Sequence, residues 1–360
     1  MGMFRDVILP ETTAEAWPAI RAEIRQRVMA SMGTCPDCAI EPEYEVVEEY
    51  ENLGLRHRKI KYRVLPDEHN FAVIVLPDGL DESGPARPTV IAPPGTCPAG
   101  GKYGTMRPDK RPGSPYAIEL ARRGYVTVSA DQFPLGEPSS GGDWELDTKV
   151  INQNWERLTD RFFEQYPDWS LDGRRLWDFQ RLLDLLDTFD YVKNQAYGTI
   201  GISLGGRMAI YLSALDERVL ASVPACGISP NLTNIYRELS KGNPHSTKWR
   251  ISPHLQEYIN KHGGETPWDY QHMIALNAPR ALLVLEPYND GGNRHMTANF
   301  ECYVAGQRVY ALLGRPDAFC TLTHGDGHAT KPDVREFAYL WFDRWLGRGE
   351  VGSRKSEVGT

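Results

Sequence analysis

The sequence predicts an α/β protein: a mostly parallel sheet with helices on both faces. Short apolar runs alternate with helical stretches from about residue 89 onward. Those runs are apolar at successive positions, as strands buried on both faces are, rather than alternating as half-exposed strands do. With 41% hydrophobic and 24% charged residues, the 360-residue chain has an ordinary globular composition, long enough for one large core with appendages.

Near the start, Trp17, Ile20, Ile24, Val28 and Met29 recur at helical spacing and predict an N-terminal helix over 12–32. Tyr44–Tyr50, Lys59–Val64 and Phe71–Leu76, the last closed by a Pro-Asp-Gly turn, read as antiparallel entry strands. Thr89–Ala92 is then a strand, Tyr116–Arg123 a helix and Tyr125–Ala130 a strand. Arg175–Lys193 is a long amphipathic helix, and Tyr197–Ile202 a strand running into a helix that begins at Leu204. Leu220–Ala225 and Ala281–Leu285 are strands, the latter expected to be the last, and Val334–Leu346 is the closing helix. The expected organisation is a helical extension over 1–40, one catalytic-size domain over 41–347 and a polar, frayed tail over 348–360.

Two stretches, 135–174 and 228–278, exceed ordinary connections. Both leave the carboxyl ends of strands, where open α/β sheets bind ligands, so they are expected to form lids. Their aromatics include Trp144, Trp249 and Trp268, read as substrate-pocket residues. The competing reading is that these rings only pack the insertions onto the core.

A formal charge of −8 leaves no basic footprint for nucleic acid or an anionic membrane. No apolar run approaches a membrane span. The beginning of the chain lacks the basic-then-apolar layout of a secretory signal, and six cysteines are too few for a disulfide scaffold. A cytoplasmic protein acting on a small molecule is expected, with self-assembly left open. Cys35-Pro36-Asp37-Cys38 lacks the second ligand pair that a structural zinc needs. Arg207 is expected in a salt bridge on a helix surface, and the Glu48–Glu51 charge run on a solvated edge.

The sharpest chemical signal is Gly201-Ile202-Ser203-Leu204-Gly205, a G-x-S-x-G between a strand and a helix. A serine on such a turn adopts strained backbone angles, so its flanking positions must be small. A serine nucleophile needs a base, and the base an orienting acid, here in the chain order Ser, acid, His. His328, before the final helix, is the expected base, with His324 as fallback and His295 a pocket-edge residue. Asp290, just past the strand 281–285, is the expected acid, with Glu286 on the strand end as competitor. Asp326 is read as a turn cap. Backbone N–H groups of Leu204 and of Thr96, in the loop Pro93–Gly101, are the expected oxyanion donors.

These residues resemble the α/β-hydrolase superfamily, in its dienelactone hydrolase and acetyl-xylan-esterase-like branch. The resemblance rests on YAIELARRGYVTVSADQFPLGEP (116–138), on WDFQRLLDLLDTFDYV (177–192) with GTIGISLGGRMAIYLSALDERVLASVPACG (198–227), and on HGDGHATKPDVREFAYLWFDRWL (324–346). It covers most of 40–347 and implies the α/β-hydrolase fold, with Ser203 as nucleophile, Asp290 as acid, His328 as base and Thr96 with Leu204 as oxyanion donors. It implies the serine mechanism better than a substrate; with the tryptophans of the insertions, the expected reading is a serine esterase, needing no metal or organic cofactor, that cleaves a small acyl or acetyl ester of a sugar or an aromatic alcohol. The oxyanion loop departs from the pattern, because Pro94 stands where relatives carry histidine before Gly95. The same triad could instead cleave a lactone or a carbon–carbon bond, and a non-catalytic binding protein of the same fold is the reading from outside enzymes.

Overall fold

The computed structural model describes residues 7–107, 114–143, 145–231, 251–291 and 296–347. Its strands are β1 (Tyr44–Asn52), β2 (Leu55–Leu65), β3 (Glu68–Leu76), β4 (Arg87–Ile91), β5 (Val126–Ala130), β6 (Val192–Ile202), β7 (Val219–Ala225), β8 (Ala281–Pro287) and β9 (Phe319–His324). Its longer helices are α1 (Trp17–Met32), α2 (Tyr116–Arg122), α3 (Glu137–Ser140), α4 (Thr148–Gln165), α5 (Leu171–Leu186), α6 (Leu204–Leu215), α7 (Pro253–Lys261), α8 (Tyr270–Asn277), α9 (Met296–Leu312) and α10 (Pro332–Leu346).

All nine strands join one sheet in the order β1-β2-β3-β5-β4-β6-β7-β8-β9. The pairs from β1 to β3, and β3 with β5, are antiparallel, and every pair from β5 through β9 is parallel. A parallel pair needs a crossover, and helices supply it on both faces. Strand side chains divide by the period of two. Ile74, Ile91, Val128, Leu282 and Val284 enter the core beneath α1, α5, α6, α8 and α9. Val73, Val75, Val90, Leu283 and Leu285 enter the opposite core beneath α2 and α10. The edge strand β1 is exposed along most of its length, and Glu48, Glu49 and Glu51 lie on it, as the charge run implies.

Several elements differ from expectation. The helix expected at 175–193 runs Leu171–Leu186, because Ser170 caps its start by accepting from Gly173 N–H at 2.9 Å. Lys193 belongs to β6. The strand at 281–287 is not the last, since β9 follows it. The apolar residues of β9 are interrupted by Thr321 and Thr323, which hid its strand pattern. The 135–174 insertion, expected as an aromatic-rich connection, contains the helix α4. Its strong two-faced pattern, with Ile151, Trp155, Thr159 and Phe162 buried, was there to be found. Among the described residues, no helix is long and apolar enough to cross a membrane.

Candidate active site

Four neighbouring parallel strands, β6, β7, β8 and β9, end on the same edge of the sheet. The residues just beyond those ends are Ser203, Cys226, the 288–290 turn and the 325–328 turn, so the topology gathers them.

Ser203 directly follows β6 and caps α6. Its φ of +59° with ψ of −120° is a left-handed conformation that non-glycine residues rarely hold, costing about 1–3 kcal/mol that the surroundings must offset. Those surroundings are specific. The Ser203 N–H donates to the Ala225 carbonyl at 2.9 Å, and its own carbonyl accepts from Arg207 N–H at 2.9 Å. A methyl group on Gly205 would fall 2.1 Å from the Pro93 carbonyl oxygen, so only glycine lets the oxyanion-side loop approach the helix start. Gly95 lies on the other side of that contact. A Cβ there would be 3.2 Å from the Ile202 carbonyl and 3.9 Å from Ser203 Cβ, which places the Gly95-Thr96 segment beside the serine. Leu204 opens α6, and its backbone N–H belongs to the helix's positive end.

The turns that carry Asp290 and His328 are held together as an extension of the β8–β9 ladder. Pro287 pairs with His324 at its end. Beyond it, Tyr288 N–H donates to the His324 carbonyl at 3.0 Å. The Asn289 amide donates to the Gly325 carbonyl at 2.9 Å and accepts from Gly327 N–H at 2.8 Å. One step further, His328 Nδ1 lies 2.7 Å from Asp290 Oδ2. The Asp290 side chain is fully buried, whereas the His328 side chain is 41% exposed. The Asp290 hydrogen bond holds the His328 ring above the usual histidine pKa, with burial opposing it.

The competing residues are otherwise engaged. Glu286 is fully buried, accepting from Tyr303 Oη at 2.5 Å and Asn299 Nδ2 at 3.1 Å. Burial pushes its carboxyl up to about 7. His324 faces its own loop, with Nδ1 accepting from Asp326 N–H at 3.4 Å, and burial lowers its pKa. Asp326 accepts from Lys331 N–H at 3.3 Å and pairs with the Lys331 ammonium at 3.1 Å, as a turn cap does.

The loop carrying Thr96 is latched to the chain beyond β5. Gly136 N–H donates to the Pro98 carbonyl at 3.0 Å and Ser140 Oγ to that of Ala99 at 2.9 Å. The Gln132 side chain donates to the Pro94 carbonyl. Asp131 accepts from both the backbone N–H (2.8 Å) and the ammonium (2.9 Å) of Lys102. No histidine is needed at position 94 for this anchoring, which answers the departure noted there.

Of the expected pocket rings, Trp144 and Trp249 lie outside the described residues, as does His295. Trp268 is a core residue: 1% exposed, its indole donates to Ser31 Oγ on α1 at 2.7 Å. The second reading of that ring, packing the insertion onto the core, describes it. A ring that the sequence did not single out for the site packs against the residue that follows the serine. Trp155 of α4 packs with Leu135 against the Leu204 side chain. Its signal was the buried stripe of α4. Arg207 also differs from expectation. It is buried, forming a two-nitrogen pair with Asp172 on α5 and donating to Tyr270 Oη at 3.1 Å. It therefore ties α6 to α5 and α8.

Comparison with known proteins finds hydrolases and esterases. Residues 146–314, just under half of the chain, match the family described as glucuronyl esterase, fungi. The chain is 24% identical over 353 residues to "Putative hydrolase YtaP" of Bacillus subtilis, covering 91% of this chain and all of that protein. It superposes on a glucuronoyl esterase from Solibacter usitatus with a TM-score of 0.70 and 16% identity, covering 95% of this chain and 97% of that one. A carbohydrate esterase family 15 glucuronoyl esterase from Caldicellulosiruptor kristjansonii gives a TM-score of 0.61 at 18% identity, covering 95% and 90%. The chain has the α/β-hydrolase fold. The family matched by its central and C-terminal residues, and these structural neighbours, are described as esterases.

Proposed function

We propose that the protein is a serine esterase acting on a carbohydrate-borne carboxylic ester, with Ser203, His328 and Asp290 as its triad. The observation that carries the reading is the 2.7 Å Asp290–His328 contact on the strand ends beside the left-handed Ser203. With Nδ1–H donated to Asp290, the remaining ring nitrogen is the one able to take the Ser203 proton. Ser203 Oγ then attacks the ester carbonyl carbon. The N–H groups of Leu204 and Thr96 stabilise the tetrahedral oxyanion. The alcohol leaves with the proton from His328, and a water deprotonated by His328 hydrolyses the acyl-serine, releasing the acid and restoring the site. None of these steps draws on a metal or an organic cofactor.

The carbohydrate part of the proposal is supported by the matched family and by the structural neighbours, which are described as glucuronyl and glucuronoyl esterases.

The test is intact-mass analysis after treatment with a fluorophosphonate, on wild type and Ser203→Ala, followed by rates on a hexuronic acid methyl ester, an acetylated xyloside and a simple aryl acetate. One label per chain, lost in Ser203→Ala, supports the serine chemistry. A folded wild type that takes no label overturns it. Equal rates on all three esters would remove the carbohydrate assignment while leaving the esterase.

A further inference from the structure

Cys226 stands where the mechanism above has no use for a thiol. It directly follows β7, between the strand that ends at Ser203 and the strand that leads to Asp290. Its φ of +49° is left-handed, and its N–H donates to the Leu285 carbonyl at 3.1 Å, so its backbone is held in a strained, fixed position. The Cys226 sulfur, a carboxylate oxygen of Asp290 and a ring nitrogen of His328 all lie within 4.8 Å of one another. Cysteine and Asp290 are buried, whereas the imidazole is partly exposed.

We propose that Cys226, Asp290 and His328 form an inhibitory site for a thiophilic divalent cation, Zn²⁺ in the first instance. One sulfur, one nitrogen and one oxygen are a donor set that zinc takes, and three protein ligands leave its fourth position to water. Donors around a tetrahedral zinc are separated by roughly 3.5 Å. Asp290 Oδ2 and His328 Nδ1, 2.7 Å apart, must part slightly while the cysteine sulfur, within 4.8 Å of both side chains, draws in, and His328, the most exposed, has the room to turn. Binding sends the thiol proton to solvent. A cation on Nδ1 of His328 replaces the hydrogen bond to Asp290, and a cation on the other nitrogen occupies the lone pair that would accept the Ser203 proton. Either arrangement takes the base away from the serine. Asp290 and His328 alone offer only two ligands, so the thiol is what separates this site from an ordinary Asp–His pair.

Inhibition depends on the triad reading; binding does not. The experiment therefore reads both. Chelator-treated wild type, Cys226→Ala and Cys226→Ser are titrated with Co²⁺ by absorption and with Zn²⁺ against a chromophoric chelator. Hydrolysis of an aryl acetate is then followed across buffered Zn²⁺, each variant scaled to its own metal-free rate. Wild type is expected to bind one ion with a thiolate-to-cobalt charge-transfer band. Both variants should lack the band and need at least tenfold more Zn²⁺ for half-inhibition. Cys226→Ser preserves side-chain size, so a misfolded alanine variant does not end the test. A wild type without the band, or equal Zn²⁺ affinity in the folded variants, overturns the proposal. A band in a protein that takes no fluorophosphonate label would keep the site and discard the triad.

Discussion

Lys102 Nζ lies 2.9 Å from Asp131 Oδ2, and both side chains are withdrawn from water. Burial raises the Asp131 carboxyl and the lysine charge opposes that rise, so each group holds the other in an interior that neither would enter alone. The pair joins the end of β5 to the loop that carries Thr96. On the proposed mechanism, it positions that loop from behind rather than acting on the substrate. Asp131→Asn is expected to cost about 1–3 kcal/mol of stability in urea unfolding, since the lysine loses its nearer carboxylate and keeps only Glu137, 3.2 Å away. In the folded fraction kcat should fall about 10–100-fold with KM nearly unchanged, because an oxyanion contact is made in the transition state. A change confined to stability would show that the pair does not set the loop's geometry.

The two candidate acids separate by substitution. Asp290→Asn keeps the shape but presents an amide to His328 Nδ1, stabilising the wrong tautomer, and is expected to lower kcat by about 10³–10⁴. Glu286→Gln preserves an acceptor for Tyr303 and should change kcat by less than about tenfold. The reverse ranking, read from steady-state rates on one ester, would transfer the acid role to Glu286.

The pH profile follows from the His328 ring. Its pKa is raised by Asp290, and only the neutral ring accepts the serine proton. Activity therefore rises with pH through that raised value, and the acidic limb of kcat/KM should be centred above the ordinary value of about 6.5. In Asp290→Asn the limb should move to lower pH, because the partner that favoured the charged ring is gone. An unmoved limb would mean that another group controls it.

Glu286 carries a stability signature of its own. Unfolded, it ionises near 4.5; buried, near 7. Below 4.5 both states are protonated. Between the two values only the unfolded chain releases the proton, so wild-type stability falls as pH rises through this window, by up to about 3 kcal/mol. Glutamine does not ionise. Glu286→Gln should therefore look more favourable relative to wild type at pH 8 than at pH 5, measured by urea midpoints. A pH-independent difference would contradict the raised pKa.

Gly205→Ala tests the close approach at the elbow. Its methyl would lie 2.1 Å from the Pro93 carbonyl oxygen, a backbone atom with no flexible side chain to yield. The expected result is a loss of fluorophosphonate labelling of about tenfold or more in rate, with a lowered Tm. Gly263→Ala, at a glycine with open space around it but φ of +65°, should lower Tm modestly and leave labelling unchanged.

Legibility in the sequence followed the range of each signal. The Ser203 elbow is local, because five consecutive residues between a strand and a helix carry its steric requirements, and they can be read without any fold. The alternation of strands and helices, and the buried character of β4 through β8, are likewise set by which neighbouring residues are apolar. The chain order of Ser203, Asp290 and His328 narrows the acid and base to a few candidates. Which of them come together is decided by tertiary structure. Asp290 faces His328, and Glu286 does not, because the β8–β9 register runs on through Tyr288 and Asn289 into the two turns. A register is a relation between segments more than 30 residues apart, and no pattern within either segment states it. The same reason put Trp155 rather than Trp268 against the elbow, buried Arg207 with Asp172, and brought Cys226 beside the acid and base. Burial and neighbours across strands are consequences of pairing, and they decide what a side chain can do once its type and position along the chain are known.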